Sequence, residues 1–269
     1  MLLLVGLLHG HFPRGILSQT TCTGGEPWGR YSASGGLAEV DGTQYMYSLG
    51  GDTRSDADNN GGGVVTTHWR WSLDSRCWER LSNTPVAVGF RGTATLLNGS
   101  WYVFGGADTS YVAHNQLWKL SLPDHTWTEV DSSASLTWPS PRFKHAAVPI
   151  SNSTMLVVGG REGSNVLSDA WVFDIETNEW TLVQDDVLDI YRQGMAFDTK
   201  RNVTWLFGGL DSGLNRQGTL YRYDTTTLSV VQTGAEVVGV RWRACRGVFL
   251  CTLFTCTGPL SLATYPHGV

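Results

Sequence analysis

The chain has 269 residues, which is enough for one large β domain. Its 19 basic and 24 acidic side chains give a formal net charge of −5, which argues against an electrostatic nucleic-acid surface. No apolar run approaches the roughly 18–20 residues that a membrane span requires. The 32 glycines and 12 tryptophans are typical of a protein with many tight turns and much aromatic packing.

Residues 1–29 form an apolar N-terminal segment and a lead-in. Residues 1–20 begin with an apolar run and are interpreted as a secretory signal peptide, although no basic residue precedes the run. Two alternatives stay open: a strand at the start of the domain, and an artefact of where the chain was taken to begin. Residues 24–29 then lead into a repetitive region.

A pattern of about 50 residues occurs four times after this lead-in. Each unit has an arginine, a short apolar run that ends in two glycines, an aromatic-rich run and a bulky closing residue. The second glycines of successive pairs are 49–55 residues apart, a period typical of propeller blades. The units span residues 30–81, 91–130, 142–183 and 192–232; their glycine pairs are Gly50–Gly51, Gly105–Gly106, Gly159–Gly160 and Gly208–Gly209, and their closing residues are Trp78, Trp127, Trp180 and Val230.

The second unit predicts four short antiparallel strands. Thr93–Leu97 is a short β-prone run, and Asn98-Gly99 after it is a hairpin turn signal. A second strand ends at the glycine pair, and residues 117–122 and 126–130 give the third and fourth strands. Paired glycines permit positive φ and the close approach of a neighbouring strand. The sequence therefore predicts an all-β chain with one four-stranded sheet per unit.

The pattern stops after residue 232. Arg241 lies where a fifth unit would begin, yet neither a glycine pair nor a hairpin signal follows it. Residues 233–269 are interpreted as an irregular C-terminal tail or a degenerate fifth blade.

The units resemble kelch repeats, in which an apolar run, a glycine pair, an aromatic strand and a spaced tryptophan make one four-stranded blade. The resemblance covers roughly residues 30–232. It is fullest in the third unit, with Arg142, His145, Gly159, Gly160, Phe173, Asp174 and Trp180. It departs at Ser72 and Ser121 in place of the aspartate, at Val230 in place of the fourth tryptophan, and at Ala33, Ala94 and Met195 in place of the histidine.

This resemblance implies a kelch-type β-propeller with four recognisable blades. Kelch propellers usually close with more blades than four, so an open or incomplete propeller is expected. A closed ring of four or five blades is the alternative. The resemblance also implies a non-enzymatic module that binds another protein, or less favourably a glycan, through loops on one face.

Two sets of residues are candidates for that binding. An arginine precedes the first strand of each unit, where kelch loops reach the rim of the central channel, and arginines there would grip carboxylates by bidentate hydrogen bonds. The favoured interpretation is instead that each arginine ties neighbouring blades together and pairs locally with carbonyl oxygens or acidic side chains. The loops after the glycine pairs are the second set, because they vary most among the units. The first set is Arg30, Arg91, Arg142 and Arg192, and the loops contribute Tyr111, Arg161 and Arg216.

No catalytic, metal-binding or cofactor-binding motif is found in the sequence, so no enzymatic activity and no cofactor are expected. His145 matches a kelch position and is interpreted as structural. The polar run with Asp56, Asp58, Asn59 and Asn60 lacks the glutamate of an EF-hand and is interpreted as an insertion. The alternative function is a carbohydrate-active or copper-radical oxidase-like enzyme on a kelch propeller.

Five cysteines and three glycosylation sequons bear on the compartment. A Cys22–Cys77 bridge would tie the lead-in to the first blade, but unpaired cysteines are favoured; Cys245, Cys251 and Cys256 lack zinc-ligand spacing. The sequons begin at Asn98, Asn152 and Asn202, each in the turn that joins the first two strands of its unit. With the apolar N-terminus, they favour a secreted glycoprotein or an ectodomain; a cytoplasmic protein is the alternative.

Overall fold

The computed structural model describes residues 22, 25–27, 29–53, 63–83, 90–131, 137–186, 188–224 and 229–236. Several predictions fall outside this part of the chain: the signal peptide, most of the tail with Arg241, and the insertion. The individual residues concerned are Asp56, Asp58, Asn59, Asn60, Cys245, Cys251 and Cys256.

The described residues form eighteen strands and contain no helix. They assemble into four antiparallel sheets of four strands, as the repeat predicts. Blade 1 contains β1 (Leu37–Val40), β2 (Thr43–Leu49), β3 (His68–Ser72) and β4 (Trp78–Arg80); blade 2 contains β5 (Thr93–Leu97), β6 (Ser100–Phe104), β7 (Leu117–Ser121) and β8 (Trp127–Glu129). Blade 3 contains β9 (Ala146–Pro149), β10 (Thr154–Val158), β13 (Ala170–Asp174) and β14 (Glu179–Gln184); blade 4 contains β15 (Gly194–Asp198), β16 (Val203–Phe207), β17 (Thr219–Asp224) and β18 (Ser229–Glu236).

Two details differ from the sequence prediction. Blade 3 carries an extra hairpin, β11 (Arg161–Glu162) with β12 (Asn165–Val166), in the loop between its second and third main strands. The last strand continues to Glu236, beyond the predicted end of the fourth unit at residue 232.

The closing residues occupy one register position in all four blades. Trp78, Trp127, Trp180 and Val230 pair with Trp71, Leu120, Phe173 and Tyr223 respectively. The Trp127 ring lies 4.7 Å from His68 in the preceding blade, and the Trp180 ring lies 4.7 Å from Phe104 in the preceding blade. These two tryptophans therefore pack between consecutive blades.

Three apolar clusters join the four blades, and each spans two consecutive sheets. Leu49 of blade 1 shares a cluster with Val103 of blade 2. Phe104 of blade 2 shares a cluster with Val157 of blade 3, and Leu156 of blade 3 shares one with Leu206 of blade 4. Burial of these faces is the main driving force that stacks the sheets.

The array of described residues is open. Every side chain of β6 in blade 2 is buried, because this sheet is covered on both faces. Burial along β16 in blade 4 instead alternates between buried and half-buried side chains. Blades 1 and 4 share no apolar core cluster among the described residues. The described residues thus form an all-β, incomplete propeller, as expected.

Cys22 and Cys77 form a disulfide bond, so the expectation that these cysteines are unpaired is wrong. Their Cα atoms lie 5.4 Å apart, in the usual range for a bridge. Sequence spacing could not reveal this pair, since 55 residues and two strand pairings separate them. The bond ties the lead-in to the outer edge of blade 1.

No helix in the described part of the chain is long and apolar enough to span a lipid bilayer.

Candidate functional site

In each blade, the segment that leads into the innermost strand contains a residue with a left-handed backbone conformation. These residues are Ser32, Arg91, Lys144 and Arg192, with φ values of 55°, 58°, 57° and 61°. Their backbones are linked from blade to blade. Arg91 N donates to Ser32 O at 3.1 Å, Lys144 N to Arg91 O at 2.6 Å, and Arg192 N to Lys144 O at 2.8 Å. Left-handed backbone is unfavourable for residues with a side chain, and here it recurs at four equivalent residues that hydrogen bonds join into one arc.

The structure corrects the predicted equivalence of the four arginines. The structurally equivalent positions in the four blades are occupied by aromatic residues, each directly before a left-handed residue. They are Tyr31, Phe90, Phe143 and Tyr191. Arg30 and Arg142 lie one position before the aromatic residue, whereas Arg91 and Arg192 lie one position after it. The arginines therefore form two structural classes.

Arg142 and Arg30 belong to the internal class. The Arg142 side chain is completely buried and donates to Asp169 Oδ1 at 2.6 Å and Asp169 Oδ2 at 2.8 Å. It also donates to the carbonyl oxygen of Gly159 at 3.1 Å. Arg30 donates in the same way to the carbonyl oxygens of Gly50 and Thr67, both at 3.0 Å. These two arginines hold the glycine-pair backbone within a blade, so Arg142 is not available to grip a partner.

Arg91 lies on the surface beside aromatic rings. Its guanidinium carbon is 4.9 Å from the centre of the Phe90 ring and 4.7 Å from that of Tyr111. Arg91 also donates to the Tyr111 hydroxyl at 3.4 Å. Tyr111, which is 41% exposed, comes from the loop after the second glycine pair. The two sets of candidates predicted from the sequence therefore meet here.

A second group of cations lies between blades 3 and 4. The Lys144 ammonium is 5.2 Å from the Phe143 ring and 5.7 Å from the Tyr191 ring. The Arg161 guanidinium approaches the same two rings, at 5.8 Å and 5.2 Å. Arg192 lies 5.9 Å from the Tyr191 ring. Cation–π contacts of this kind hold long basic side chains in place.

We call Arg91, Lys144, Arg161 and Arg192 the cationic face. None of the four forms an ion pair with a carboxylate within the described part of the chain. The pKa of Lys144 falls from 10.5 to about 7, first because burial disfavours the charged amine and then because Arg192, Arg91 and Arg161 repel its charge. The face therefore brings together four basic side chains that form no ion pair with a carboxylate of the described residues.

Lys144 is the residue that the sequence analysis missed. The arginines were aligned with one another, and a lysine at the third unit did not fit that series. Alignment on the aromatic residues would have found it, because Lys144 follows Phe143 just as Arg91 follows Phe90.

The loops after the glycine pairs lie at the same end of the blades as the cationic face. Arg161 opens the loop of blade 3, and its backbone pairs with Phe143. Arg216 is exposed in the corresponding loop of blade 4. The described contacts do not bring Arg216 to the rings of the cationic face.

The three sequons lie at the other end of the blades. Asn98, Asn152 and Asn202 are exposed and occupy the turns between the first and second strands. A five-residue strand, roughly 17 Å long, separates these turns from the cationic face. A group attached to one of these three turns therefore does not cover the cationic face.

The described residues show no cluster of three or more His, Cys, Asp or Glu side chains suited to a metal ion. His68 and His145 are both buried. The pKa of each is lowered to about 3, mainly by burial and then by the charge of a nearby arginine. His68 Nδ1 accepts from Gly50 N at 3.0 Å, and His145 Nε2 lies 2.8 Å from Thr93 Oγ1. Both histidines are neutral groups within the blades.

Sheets of four antiparallel strands, stacked face to face with a tryptophan between consecutive sheets, define the β-propeller class. The family model described as the KLHDC2/KLHL20/DRC7 Kelch-repeats domain matches residues 11–189. The chain belongs to the kelch-repeat family.

Several curated proteins share this region. Acyl-CoA-binding domain-containing protein 5 of Arabidopsis thaliana is 29% identical over 197 residues, which are 72% of this chain and 29% of that protein. Kelch domain-containing protein 1 of Homo sapiens is 26% identical over 125 residues, 42% of this chain and 30% of that protein. Multiple epidermal growth factor-like domains protein 8 of Homo sapiens is 27% identical over 194 residues, which are 67% of this chain and 7% of that protein. The aligned region spans less than a third of the length of each relative.

Proposed function

We propose that this kelch domain binds an acidic segment of another protein on the cationic face. The observation that carries the proposal is the absence of ion pairs at Arg91, Lys144, Arg161 and Arg192 among the described residues. Cations that are held close together without counter-charges attract carboxylates strongly, and arginine offers the planar fork that binds a carboxylate by two hydrogen bonds.

The packing around these side chains suits recognition. Phe143 is buried, and Tyr191 is buried beside it, so the rings that support the cations are fixed. Side chains that are already oriented lose little conformational entropy when a partner binds. Arg91 and Tyr111 extend the same surface toward blade 2, which gives an elongated site that suits a peptide segment.

The test uses a fluorescein-labelled peptide of alternating Glu and Gly residues, with a Gln–Gly peptide of equal length as the uncharged control. We expect the acidic peptide to bind the intact chain with an affinity that falls as salt is added, since exposed charge contacts are screened. Changing both Arg161 and Arg192 to Gln is expected to weaken binding about tenfold or more, because charge-assisted hydrogen bonds are each worth roughly 1.5–3 kcal/mol.

The matched control is Arg201→Gln, which removes an exposed arginine from a turn at the opposite end of blade 4. Its peptide affinity is expected to equal that of the unchanged chain. Equal weakening by Arg201→Gln and by the double variant would mean that net charge alone attracts the peptide. That result, or preferential binding of an acidic glycan over the peptide, would overturn the proposal.

We further infer that the protein passes through the secretory pathway and carries glycans at Asn98, Asn152 and Asn202. A disulfide between Cys22 and Cys77 supports an oxidising compartment, and the exposed turns give the sequons room for glycans. Expression in a eukaryotic secretory host is expected to give protein whose mass falls on treatment with an N-glycosidase. Asn98→Gln, Asn152→Gln and Asn202→Gln are each expected to remove one glycan. An unchanged mass after glycosidase treatment would contradict the inference.

A further inference from the structure

The charges of three arginines repel the charge of the Lys144 amine. Arg91 precedes β5, Arg192 precedes β15, and Arg161 lies on β11 in the loop of the same blade. The amine also lies near the aromatic rings of Phe143 and Tyr191. No carboxylate in the described part of the chain pairs with it.

These surroundings favour the uncharged amine, which is the nucleophilic form of lysine. A desolvated lysine beside other cations is the arrangement that activates an amine toward carbonyl compounds. Half-burial against the two rings, followed by repulsion from Arg192, Arg91 and Arg161, holds the pKa of Lys144 at about 7. A large part of Lys144 is therefore nucleophilic at neutral pH, whereas an ordinary lysine with a pKa near 10.4 is almost fully protonated there.

The same guanidinium groups attract anions. Arg161 and Arg192 both lie against the Tyr191 ring that also contacts Lys144. A carboxylate held by either guanidinium therefore lies beside the ring that the Lys144 side chain also contacts. The cluster combines an anion-binding group with a nucleophile, which is more than binding of an acidic peptide requires.

We propose that Lys144 is a site of reversible imine formation with small carbonyl compounds that carry a carboxylate, such as 2-oxo acids. Lys144 Nζ adds to the carbonyl carbon, forming a C–N bond while the carbonyl oxygen takes a proton. The nitrogen releases one proton to give the carbinolamine, whose hydroxyl then takes a proton from solvent and leaves as water. This gives the iminium ion, and release of the one remaining N–H proton to solvent gives the neutral imine. No oxidant or reductant is needed for these steps. Arg161 and Arg192 hold the carboxylate.

Imine formation at Lys144 would also compete with the binding of an acidic segment, a consequence that rests on the proposed function. An imine at Lys144 places one carboxylate among the arginines of the cationic face and offsets part of their positive charge. The small molecule and an acidic protein segment would then compete for one surface.

The experiment uses glyoxylate as the probe, with cyanoborohydride added to reduce the imine to a stable secondary amine. The chain has only three lysines, Lys119, Lys144 and Lys200, so mass spectrometry of the peptides gives the modification of each one within a single sample. At pH 7 we expect Lys144 to react at least about tenfold faster than Lys200, which is exposed. The ratio is expected to shrink toward one at pH 10, where ordinary lysines also lose their protons.

Acetaldehyde is the matched uncharged probe, and the Lys144 to Lys200 ratio is expected to be lower with it than with glyoxylate. Changing Arg161 and Arg192 to Gln is expected to abolish the preference for glyoxylate, while Arg201→Gln leaves it unchanged. Equal modification of the three lysines in the unchanged chain would by itself overturn the proposal. So would an equal Lys144 preference for the two aldehydes. Neither result bears on peptide binding, which is measured separately.

Discussion

Replacing Arg142 by Met is expected to lower the free energy of unfolding by about 3–5 kcal/mol, because it leaves the Asp169 carboxylate, only 15% exposed, without its counter-charge. The Arg142 side chain is fully buried and binds both oxygens of Asp169, whose Oδ2 also accepts from Trp171 Nε1 at 2.7 Å. The change also removes the donor to the Gly159 carbonyl oxygen. Chemical denaturation of the variant and the unchanged chain measures the difference.

Two controls separate this pair from exposed ion pairs. Arg201→Met breaks the Arg201–Asp198 contact, in which the arginine side chain is 73% exposed, and is expected to cost less than about 1 kcal/mol. In a cycle with Asp169→Asn, the double variant is expected to lose less stability than the two single variants together. A cost for Arg142→Met no larger than that for Arg201→Met would contradict the structural role.

The effect of Arg142→Met also depends on pH. Burial raises the pKa of Asp169, but the hydrogen bonds and charge of Arg142 and the hydrogen bond from Trp171 outweigh it and hold the pKa below its ordinary value of 3.8. The carboxylate thus contributes stability above the ordinary pKa and loses that contribution as the pH falls through the lowered value. The difference between the variant and the unchanged chain is expected to shrink in acid.

Replacing Gly160 by Ala is expected to cost about 2–4 kcal/mol, through backbone strain and overpacking together. Gly160 has a φ of 100°, which residues with a side chain rarely adopt. An added Cβ would lie 2.7 Å from the Cβ of His145, which is itself buried and cannot move away. Gly160 N also donates to the carbonyl oxygen of Ile190 at 2.9 Å, so a shift there disturbs the contact with blade 4.

Gly218→Ala is the matched control, because a Cβ at Gly218 meets no atom within 4 Å and its φ lies outside the left-handed region. It is expected to change stability by less than about 1 kcal/mol. Similar thermal unfolding of the Gly160→Ala and Gly218→Ala variants would show that the glycine pair is not required for packing between blades.

Much of the fold could be predicted from the sequence because blade geometry depends on local signals. The Asn98-Gly99 turn has positive φ at both residues, as a two-residue hairpin requires, and the strands on either side lie where the pattern places them. The glycine pairs and tryptophans recur because each blade repeats the same close contacts.

The candidate site could be predicted only in part. Arg91 and Arg161 do meet on one end of the blades with their aromatic neighbours, yet the sequence could not separate Arg142 from Arg192. The internal arginines lie one position before the aromatic residue and the outer ones one position after it, where the backbone is left-handed. That local turn breaks the alternation of a strand, and the arginine series itself gives no signal for it. The Cys22–Cys77 bond was missed for a different reason, since it depends on how the lead-in passes the outer edge of blade 1.

Hydrogen–deuterium exchange of the intact chain, with and without the alternating Glu–Gly peptide, tests most directly whether the cationic face is the binding surface. Added protection is predicted in the peptides that contain Arg91, Lys144, Arg161 and Arg192, at one end of the blades. The turns at Asn98, Asn152 and Asn202 are predicted to exchange as before. Protection confined to those turns, with none near Lys144, would contradict the account.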